Sequence, residues 1–236
     1  MSFRKKMTTP IEFFRHIKSF VRREGRMTDA QRRAIDEGMP LFGLHLQMGL
    51  INPVEIFSRE APCVLEIGFG MGHSLLQAAM DSPETDFIGI ETHLPGVGCL
   101  LAGIMQANIK NIRVYHADAV QVLAHSIPGS SLSGIQIFFP DPWPKRRHHK
   151  RRLIQTPFVQ KLTDKLHTNG VLHLATDWED YAKHMMQVLS NIDVLENVAG
   201  DNQYAERCLH RPVVTRFEKR GKQAGYVIRD LQFSKK

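Results

Sequence analysis

Hydrophobic and polar positions alternate between two periods from about residue 62 onward. Short apolar runs at 64–67 and 87–90 predict buried β-strands, and each precedes a stretch whose apolar residues recur at helical spacing. Further strands are predicted at 112–115, 135–139, 171–175 and 226–233. Strands that alternate with helices indicate a parallel sheet covered on both faces. The pattern therefore predicts an α/β fold with a doubly wound, mostly parallel sheet.

Local signals predict where several helices begin. Pro95 lies near the start of a helix, because proline suits the first helical turn. Thr156 before Pro157 predicts an N-cap followed by the first helical position. Thr28 with Gln31 has the spacing of a capping box and predicts another helix start.

The first 60 residues lack the alternation of strands and helices. Apolar spacing predicts a short helix at 11–21, ahead of the helix that Thr28 opens. Residues 1–34 contain ten Lys or Arg and three Asp or Glu, a net charge of +7. We therefore predict a basic N-terminal extension over residues 1–60 and a sheet domain over 61–236. Phe13, Phe14 and Ile17 leave open whether the extension also packs on that domain.

Positive charge is concentrated in two blocks. The chain has a net charge of +7, and the run 145–152 alone carries six Lys or Arg and no carboxylate. Residues outside this run and outside 1–34 are acidic on balance. Two basic blocks on an acidic body are typical of a protein that binds a phosphate backbone. The alternative is that the second block is an ordinary solvated surface.

Several classes of protein are disfavoured by composition. The three cysteines, Cys63, Cys99 and Cys208, are isolated and lack metal-ligand spacing, which favours a reduced cytoplasmic protein without structural zinc. A signal peptide would have an apolar run after its basic start, and the basic N-terminus of this chain is not followed by one. No apolar stretch approaches the length needed to cross a bilayer. We expect no membrane association, no metal and no obligate protein partner, and a monomer.

A glycine-rich turn follows the first predicted strand of the sheet domain. Gly68, Gly70 and Gly72 have the spacing GxGxG, whereas dinucleotide-binding turns have GxGxxG. Glycine lets the backbone approach a ligand closely, and Glu66 would repel a pyrophosphate. The turn suits a cationic or zwitterionic ligand such as S-adenosylmethionine. A tight turn that binds nothing would have the same sequence.

Two acidic residues follow the next strands. Glu91 ends the second predicted strand, where a carboxylate can accept hydrogen bonds from both ribose hydroxyls, although it could also be a solvated strand end. Asp118 follows the third strand and could bind an adenine amine or act as the N-cap of the next helix. Asp177 leaves a similar choice, since it could cap the helix that follows Trp178.

The segment 135–152 has the most specific chemistry of the chain. Its apolar strand ends at Asp141, which lies between Pro140 and Pro142, and Trp143 precedes the basic run. Proline restricts its own backbone and that of the preceding residue. Asp141 is therefore expected on a stiff turn at the carboxyl end of a strand, where α/β sheets bind ligands. His148 and His149 belong to the basic face rather than to a metal site.

These motifs together resemble the bacterial tRNA (guanine-N7)-methyltransferase family, a class I methyltransferase family with a Rossmann-like fold. The turn 66–72 alone is generic to class I methyltransferases, whereas the segment 139–145 with its basic tail is specific. The resemblance covers nearly the whole chain and rests on residues 19–23 (SFVRR), 66–72 (EIGFGMG), 95–98 (PGVG), 139–145 (FPDPWPK), 175–178 (ATDW) and 215–218 (TRFE).

The resemblance implies a role for each of these segments. S-adenosylmethionine would be held by Glu66, Gly68, Gly70, Gly72, Glu91, Asp118 and Asp141, and Asp141 would also be the active-site carboxylate. Substrate would be contacted by Lys145, Asp177, Thr215, Arg216, Phe217 and Glu218. The charge pattern adds contacts to the tRNA backbone from Arg22, Arg23, Arg26, Arg146, Arg147, Lys150, Arg151 and Arg152.

The expected reaction is methyl transfer to N7 of a guanine in the tRNA variable loop. Two alternatives stay open at this point. One is methylation of an exocyclic amine on adenine or another RNA base, because turns similar to Asp-Pro-Pro occur in such enzymes. The other is a non-catalytic RNA-binding module on the same fold, which the set of donor-site carboxylates disfavours.

Overall fold

A computed structural model describes residues 26–207 and 225–236, together with Glu218, Gly221 and Gln223. Within these residues, helices and strands alternate as the apolar pattern predicts. The helices are α1 Asp29–Phe42, α2 Pro53–Phe57, α3 His73–Asp81, α4 Leu94–Ala107, α5 Ala119–His125, α6 Thr156–Lys165 and α7 Glu179–Ser190. The strands are β1 Gly43–Leu44, β2 Cys63–Ile67, β3 Asp86–Glu91, β4 Ile112–His116, β5 Leu132–Phe138, β6 Leu166–Thr176, β7 Leu195–Asn197 and β8 Arg229–Lys235.

The described strands form one sheet in the order β1-β4-β3-β2-β5-β6-β8-β7. The strands from β1 to β6 are parallel to their neighbours, and β8 runs antiparallel between β6 and β7. The chain builds outward from β2 through β3 to β4 and then returns to place β5 beside β2. Ligands of doubly wound sheets bind where the strand order reverses in this way. The expected mostly parallel α/β sheet is confirmed, and its reversal lies between β2 and β5.

Two apolar layers enclose the sheet. One face carries fully buried side chains such as Leu65, Ile135 and Leu174, and helices α5, α6 and α7 pack against it. The other face is covered over β2, β3 and β4 by α1, α3 and α4, with Leu75, Leu101 and neighbouring apolar residues between them. Burial on both sides explains why the central strands are nearly continuous apolar runs.

The second half of the predicted extension packs against the sheet. The capping box of α1 is confirmed: Thr28 Oγ1 accepts from the amide of Gln31, and Gln31 Oε1 accepts from the amide of Thr28. Gln31 also donates to the carbonyl of Pro95 at 3.1 Å, which attaches α1 to the start of α4. Strand β1 pairs with β4 at the sheet edge. The apolar pattern does not predict β1 because two residues are too few to show a period. The helix expected at 11–21 lies outside the described residues.

Several predicted boundaries differ from the structure, and the largest strand difference is the start of β6, which lies at Leu166 rather than at residue 171. Helix α6 already includes Thr156, and its N-cap is Gln155, so the N-cap assigned to Thr156 is wrong by one position. Proline tolerates either of the first two helical positions, since neither amide has a partner within the helix. The last strand begins at Arg229 rather than at residue 226. No helix in the described part of the chain is both long and apolar enough to cross a bilayer.

Candidate active site

The glycine turn after β2 has the geometry of a ligand cradle. Gly68, Gly70 and Gly72 have φ values of +79°, +61° and +77°, in the left-handed region that side-chain-bearing residues rarely adopt. A Cβ built on Gly68 or Gly70 would meet no atom within 4 Å, so both face open space. Behind the turn, a Cβ on Gly96 would collide with the carbonyl of Gly70. The turn is therefore open in front and pressed against the start of α4 behind.

The carboxylate of Glu91 ties this turn to the end of β3. Its Oε2 accepts from the amide of Gly70 at 2.8 Å, and its Oε1 accepts from the amides of Thr92 at 2.6 Å and His93 at 2.9 Å. Glu91 is thus neither a freely solvated strand end nor a distant neighbour of the turn. Thr92 Oγ1 also lies 3.4 Å from Oε1, whereas Oε2, beside the Gly70 amide, can accept from a ribose hydroxyl as well.

Glu66 is buried beneath the turn at 4 % exposure. Burial, followed by the negative charge of Glu91, raises the pKa of Glu66 from its ordinary value of 4.5 to about 8. A nearby cation would favour the ionised form of Glu66, which burial and the charge of Glu91 disfavour. The ammonium and sulfonium groups of S-adenosylmethionine are cations of this kind.

The residues at the end of β2 and β3 therefore fit S-adenosylmethionine on two grounds. Gly68 and Gly70 leave space that a side chain would fill, Glu91 supplies negative charge beside it, and the buried Glu66 can ionise when a cation binds. The sulfonium of the bound donor would supply the methyl group. Contacts of Glu66, Glu91 and the glycines with this donor stay predictions.

Asp118 has the capping role that the sequence left open. Its Oδ1 accepts from the amide of Val120 at 2.9 Å, which makes it the N-cap of α5. The predicted contact of Asp118 with the adenine amine stays a prediction. The corresponding alternative for Asp177 is wrong, because the N-cap of α7 is Trp178, whose amide donates to Thr176 Oγ1.

The turn that carries Asp141 has an unusual backbone. Phe139 and Trp143, on either side of it, have φ values of +52° and +46°. Left-handed conformations are costly for bulky side chains and are found where the surroundings impose them, often at functional sites. The amide of Phe139 donates to the carbonyl of Ala175 at 2.8 Å, which attaches the start of the turn to β6. Asp141 lies between these two residues and is exposed to solvent.

The basic run forms a short 3-10 helix, Arg146–Arg151, directly after this turn. Arg146, Arg147 and Lys150 are exposed. Arg151 is half-buried, with its guanidinium 4.2 Å above the ring of Trp143. Four of the predicted phosphate contacts, Arg146, Arg147, Lys150 and Arg151, therefore follow Asp141 on one short segment.

His148 adds little positive charge to this surface. Desolvation, followed by the charges of Arg147, Arg151 and two neighbouring lysines, lowers the pKa of His148. Its ring packs edge-on against Trp143, with the ring centres 5.9 Å apart. His148 is thus part of the packing of this segment.

Arg152 does not match the predicted role of a tRNA-backbone contact. It is 3 % exposed, and its guanidinium contacts Pro142, Asp180 and the ring of Tyr181. The assignment of Arg152 to the phosphate-binding surface is therefore wrong, because a buried guanidinium with internal partners cannot reach a phosphate. The sequence gives no sign of this, since Arg152 ends a run of otherwise accessible cations.

The predicted substrate contacts are only partly described. Lys145 is exposed at the start of the basic segment, and Asp177 is half-buried at the end of β6. Gly221 lies against Asp177: a Cβ added there would be 3.0 Å from Asp177 Oδ2. Glu218 is fully buried, and Arg207 Nε is 3.3 Å from its carboxylate. Thr215, Arg216 and Phe217 lie outside the described residues, as do Arg22 and Arg23, whereas Arg26 is described and exposed.

A buried polar row, of which only Glu66 was predicted as a site residue, crosses the sheet beside the site. Glu66, Gln136 and His173 are paired in register across β2, β5 and β6, and each is nearly inaccessible to solvent. His173 Nε2 is 2.8 Å from Asp230 Oδ1 on β8. The available signal was one polar residue inside each apolar run, Gln136 in β5 and His173 in β6. In the described part of the chain, no cluster of three or more His, Cys, Asp or Glu side chains could hold a metal ion.

Comparisons with known proteins agree with this geometry. Residues 60–231 match a family model described as a putative methyltransferase. The fold is similar to that of a 16S rRNA methyltransferase, KamB, with a TM-score of 0.56 and 13 % identity over 77 % of this chain and 91 % of that one. The aminoglycoside resistance methyltransferase NpmB1 has a TM-score of 0.52 and 15 % identity, over 77 % of this chain and 91 % of that one. At such identities the likeness concerns the fold alone.

Sequence relatives are much closer. The chain is 51 % identical to the tRNA (guanine-N(7)-)-methyltransferase of Idiomarina loihiensis, over 94 % of this chain and 90 % of that protein. It is 51 % identical to the protein of the same name from Ectopseudomonas mendocina, over 94 % and 92 %. The relative from Shewanella amazonensis is 50 % identical over 94 % and 93 %. Identity at this level over nearly the whole chain places the protein in the bacterial tRNA (guanine-N7)-methyltransferase family.

Proposed function

We propose that this protein transfers a methyl group from S-adenosylmethionine to N7 of a guanine in the variable loop of tRNA. The observation that carries the proposal is the meeting of two sites at the reversal of strand order. The acidic glycine turn follows β2, and the Asp141 turn follows the adjacent strand β5. A donor bound at the first turn would lie beside a base held at the second.

The chemistry of the acceptor suits this arrangement. Guanine N7 carries a lone pair, so no base has to remove a proton to create the nucleophile. Methylation makes the ring cationic. Catalysis therefore depends on alignment of N7 with the methyl group and on groups that stabilise the developing positive charge.

Asp141 is the residue placed to recognise and stabilise this base. An ionised carboxylate can accept from guanine N1–H and from the exocyclic N2 amine, and it favours the cationic ring that forms. Adenine lacks both donors, so the same contact selects guanine. The restricted turn around Asp141 keeps the carboxylate ordered before the base arrives, which lowers the entropic cost of alignment.

The basic segment supplies the contact to the rest of the RNA. Arg146, Arg147 and Lys150 are exposed beside Asp141, where a phosphate backbone that presents a guanine would pass. Substrate of this kind implies action in the cytoplasm. We expect a monomer that needs no metal and no partner protein.

The experiment that tests the function is transfer of labelled methyl groups to unmodified tRNA, followed by nucleoside analysis. We expect N7-methylguanosine as the product. A matched tRNA with 7-deazaguanine at the target position retains the N1 and N2 donors but lacks the nucleophile, and it should accept no label. Label on an exocyclic amine would identify the alternative methyltransferase, and donor binding without transfer would indicate a non-catalytic module.

A further inference from the structure

Arg152 is a buried cation whose partners all belong to the protein. Nε donates to the carbonyl of Pro142 at 3.0 Å, and Nη2 forms a short hydrogen bond with Asp180. The guanidinium lies 4.8 Å from the centre of the Tyr181 ring, and Nη2 is 3.1 Å from His149 Nε2. The side chain is 2 % exposed, whereas that of Asp180 is 63 % exposed. A charge buried to this extent is tolerated only where its donors are satisfied.

These contacts connect two segments that the proposed function uses. Pro142 follows Asp141 directly on the turn after β5, and Asp180 lies in the first turn of α7, close behind Asp177. The two segments have other links nearby, since the amide of Ile154 donates to Tyr181 Oη at 3.1 Å. Arg152 thus connects the Asp141 turn to the start of α7.

The chemistry of the side chain makes this link specific to arginine. A guanidinium presents its donors in a planar fork, so one side chain can serve a carbonyl and a carboxylate in fixed directions while stacking on a ring. A lysine ammonium keeps the charge but is a flexible point donor. It could pair with Asp180 or with the Pro142 carbonyl, yet it would not hold both in the same geometry.

We propose that Arg152 is a positioning residue, which holds the Asp141 turn against α7 and so sets where the Asp141 carboxylate meets the base. The proposal rests on the methyl transfer proposed above. It predicts that Arg152 affects the rate of transfer rather than the affinity for RNA. The neighbouring exposed arginines should behave in the opposite way, because they contact phosphates.

The first test compares Arg152→Lys with Arg113→Lys. Arg113 is a matched control: its Nη2 donates to the carbonyl of Ile56 at 2.6 Å, and its guanidinium lies 4.9 Å from the Phe57 ring. It lies near the start of β4, at the amino end of the sheet, away from Asp141. Each variant replaces a planar guanidinium by an ammonium, at a buried position for Arg152 and at a half-buried position for Arg113. Only Arg152→Lys should lower kcat, by about 10- to 100-fold, a range typical of misplaced catalytic groups.

The other readouts separate positioning from RNA binding. For Arg152→Lys we expect donor Kd, tRNA KM and the salt dependence of tRNA binding to stay close to wild type. A raised KM with a flatter salt dependence and unchanged kcat would instead make Arg152 a phosphate contact. An unchanged kcat and KM would mean that the turn does not depend on it. Either result overturns the proposal.

A fluorescence measurement reports the turn without relying on activity. The chain has two tryptophans, Trp143 on the turn and Trp178 before α7, so Trp178→Phe leaves a single probe. In that background Arg152→Lys should increase acrylamide quenching of Trp143, and Arg113→Lys should not. A wild-type protein that transfers no methyl group to tRNA refutes the proposed function. Unchanged quenching in a wild-type-active enzyme refutes the positioning role.

Asp180→Asn is a second variant that tests the same link if the Arg152→Lys protein does not fold. The exposed Asp180 side chain can be changed without disturbing the core, and asparagine retains an acceptor but loses the charge. We expect the same pattern as for Arg152→Lys with a smaller loss of kcat. Wild-type kinetics and quenching in a folded Asp180→Asn protein would also count against the proposal.

Discussion

At the scale of single residues, Glu66 and Glu91 give the glycine turn its electrostatic character. Glu91 accepts hydrogen bonds from three backbone amides, whereas Glu66 is buried and has only disfavouring influences on its charge. A cation bound beside this pair would offset the cost of ionising the buried Glu66. This explains why a carboxylate precedes the glycines, where a dinucleotide-binding turn would avoid one.

We expect donor binding to release a proton from Glu66. The pKa of Glu66 is about 8 in the free protein, and a bound ammonium or sulfonium would favour the ionised form. Donor affinity should therefore rise with pH until about pH 8 and fall by up to about tenfold per pH unit well below it. Calorimetry in buffers of different ionisation enthalpy measures the proton release directly.

Glu66→Gln is the control for this prediction. It keeps the volume of the side chain and cannot ionise, so its donor binding should be weaker at pH 8 and lose the pH dependence. The same comparison applies to stability. The folded protein without donor favours protonated Glu66, so the free energy of unfolding should fall as pH rises from about 4.5 to about 8. Identical pH profiles for both proteins would exclude Glu66 as the titrating group.

Asp141→Asn should lower kcat by roughly 10²–10³-fold while donor Kd stays near wild type. Asparagine fits the same turn but carries no charge to stabilise the cationic ring, and its amide NH2 repels the donors of guanine. Single-turnover kinetics on tRNA measure the loss, and circular dichroism checks the fold. Turnover at the wild-type rate would remove Asp141 from the reaction.

At the scale of elements, the 3-10 helix Arg146–Arg151 concentrates the exposed cations. Replacing Arg146, Arg147 and Lys150 by serine should raise KM for tRNA and flatten the dependence of binding on salt. Each phosphate that is no longer neutralised reduces the slope of log K against log salt by roughly 0.7–0.9. Arg151 is left in place because it stacks on Trp143. Replacing the exposed Lys110, in the loop before β4, and Lys161, on α6, by serine is the control and should leave the slope unchanged.

At the scale of the whole molecule, we expect residues 1–25 to serve RNA binding and residues 26–34 to contribute to stability as well, through the start of α1. Residues 1–25 carry seven Lys or Arg and two Asp or Glu. Their removal should weaken tRNA binding much more than donor binding, with little change in Tm. Removal of residues 1–34 should in addition lower Tm, because it deletes the capping box and the Gln31–Pro95 hydrogen bond. Filter binding and thermal melting of both truncations, beside the full chain, measure the two effects.

Equal effects of the two truncations would contradict this prediction. If removal of residues 1–25 lowers Tm as much as removal of 1–34, the first 25 residues contribute to the core. If neither truncation changes tRNA binding, the basic N-terminal block is not part of the RNA-binding surface. Loss of the first turn of α1 should cost about 1 kcal/mol through its cap alone.

Much of the fold and part of the candidate site could be predicted from local sequence. The apolar runs of β2 and β3 and the spacing of α3 and α4 are local patterns, and so are the capping box of Thr28 and the glycine spacing at 68–72. Strand β1 could not be predicted, because a two-residue strand is defined only by its partner β4. The N-cap prediction for Thr156 is wrong because proline is compatible with either of two helical positions.

The sequence by itself determined the alternation of strands and helices, the acidic glycine turn, the stiff Asp141 turn and the two basic blocks. These features depend on residues that are near one another along the chain. Only the tertiary structure decided the raised pKa of Glu66, the hydrogen bonds from three backbone amides to Glu91 and the burial of Arg152. Each depends on contacts with residues distant in sequence, such as Asp180 for Arg152 and Gly70 for Glu91. Neighbours of this kind change whether a charge is solvated, which no local pattern of residues can show.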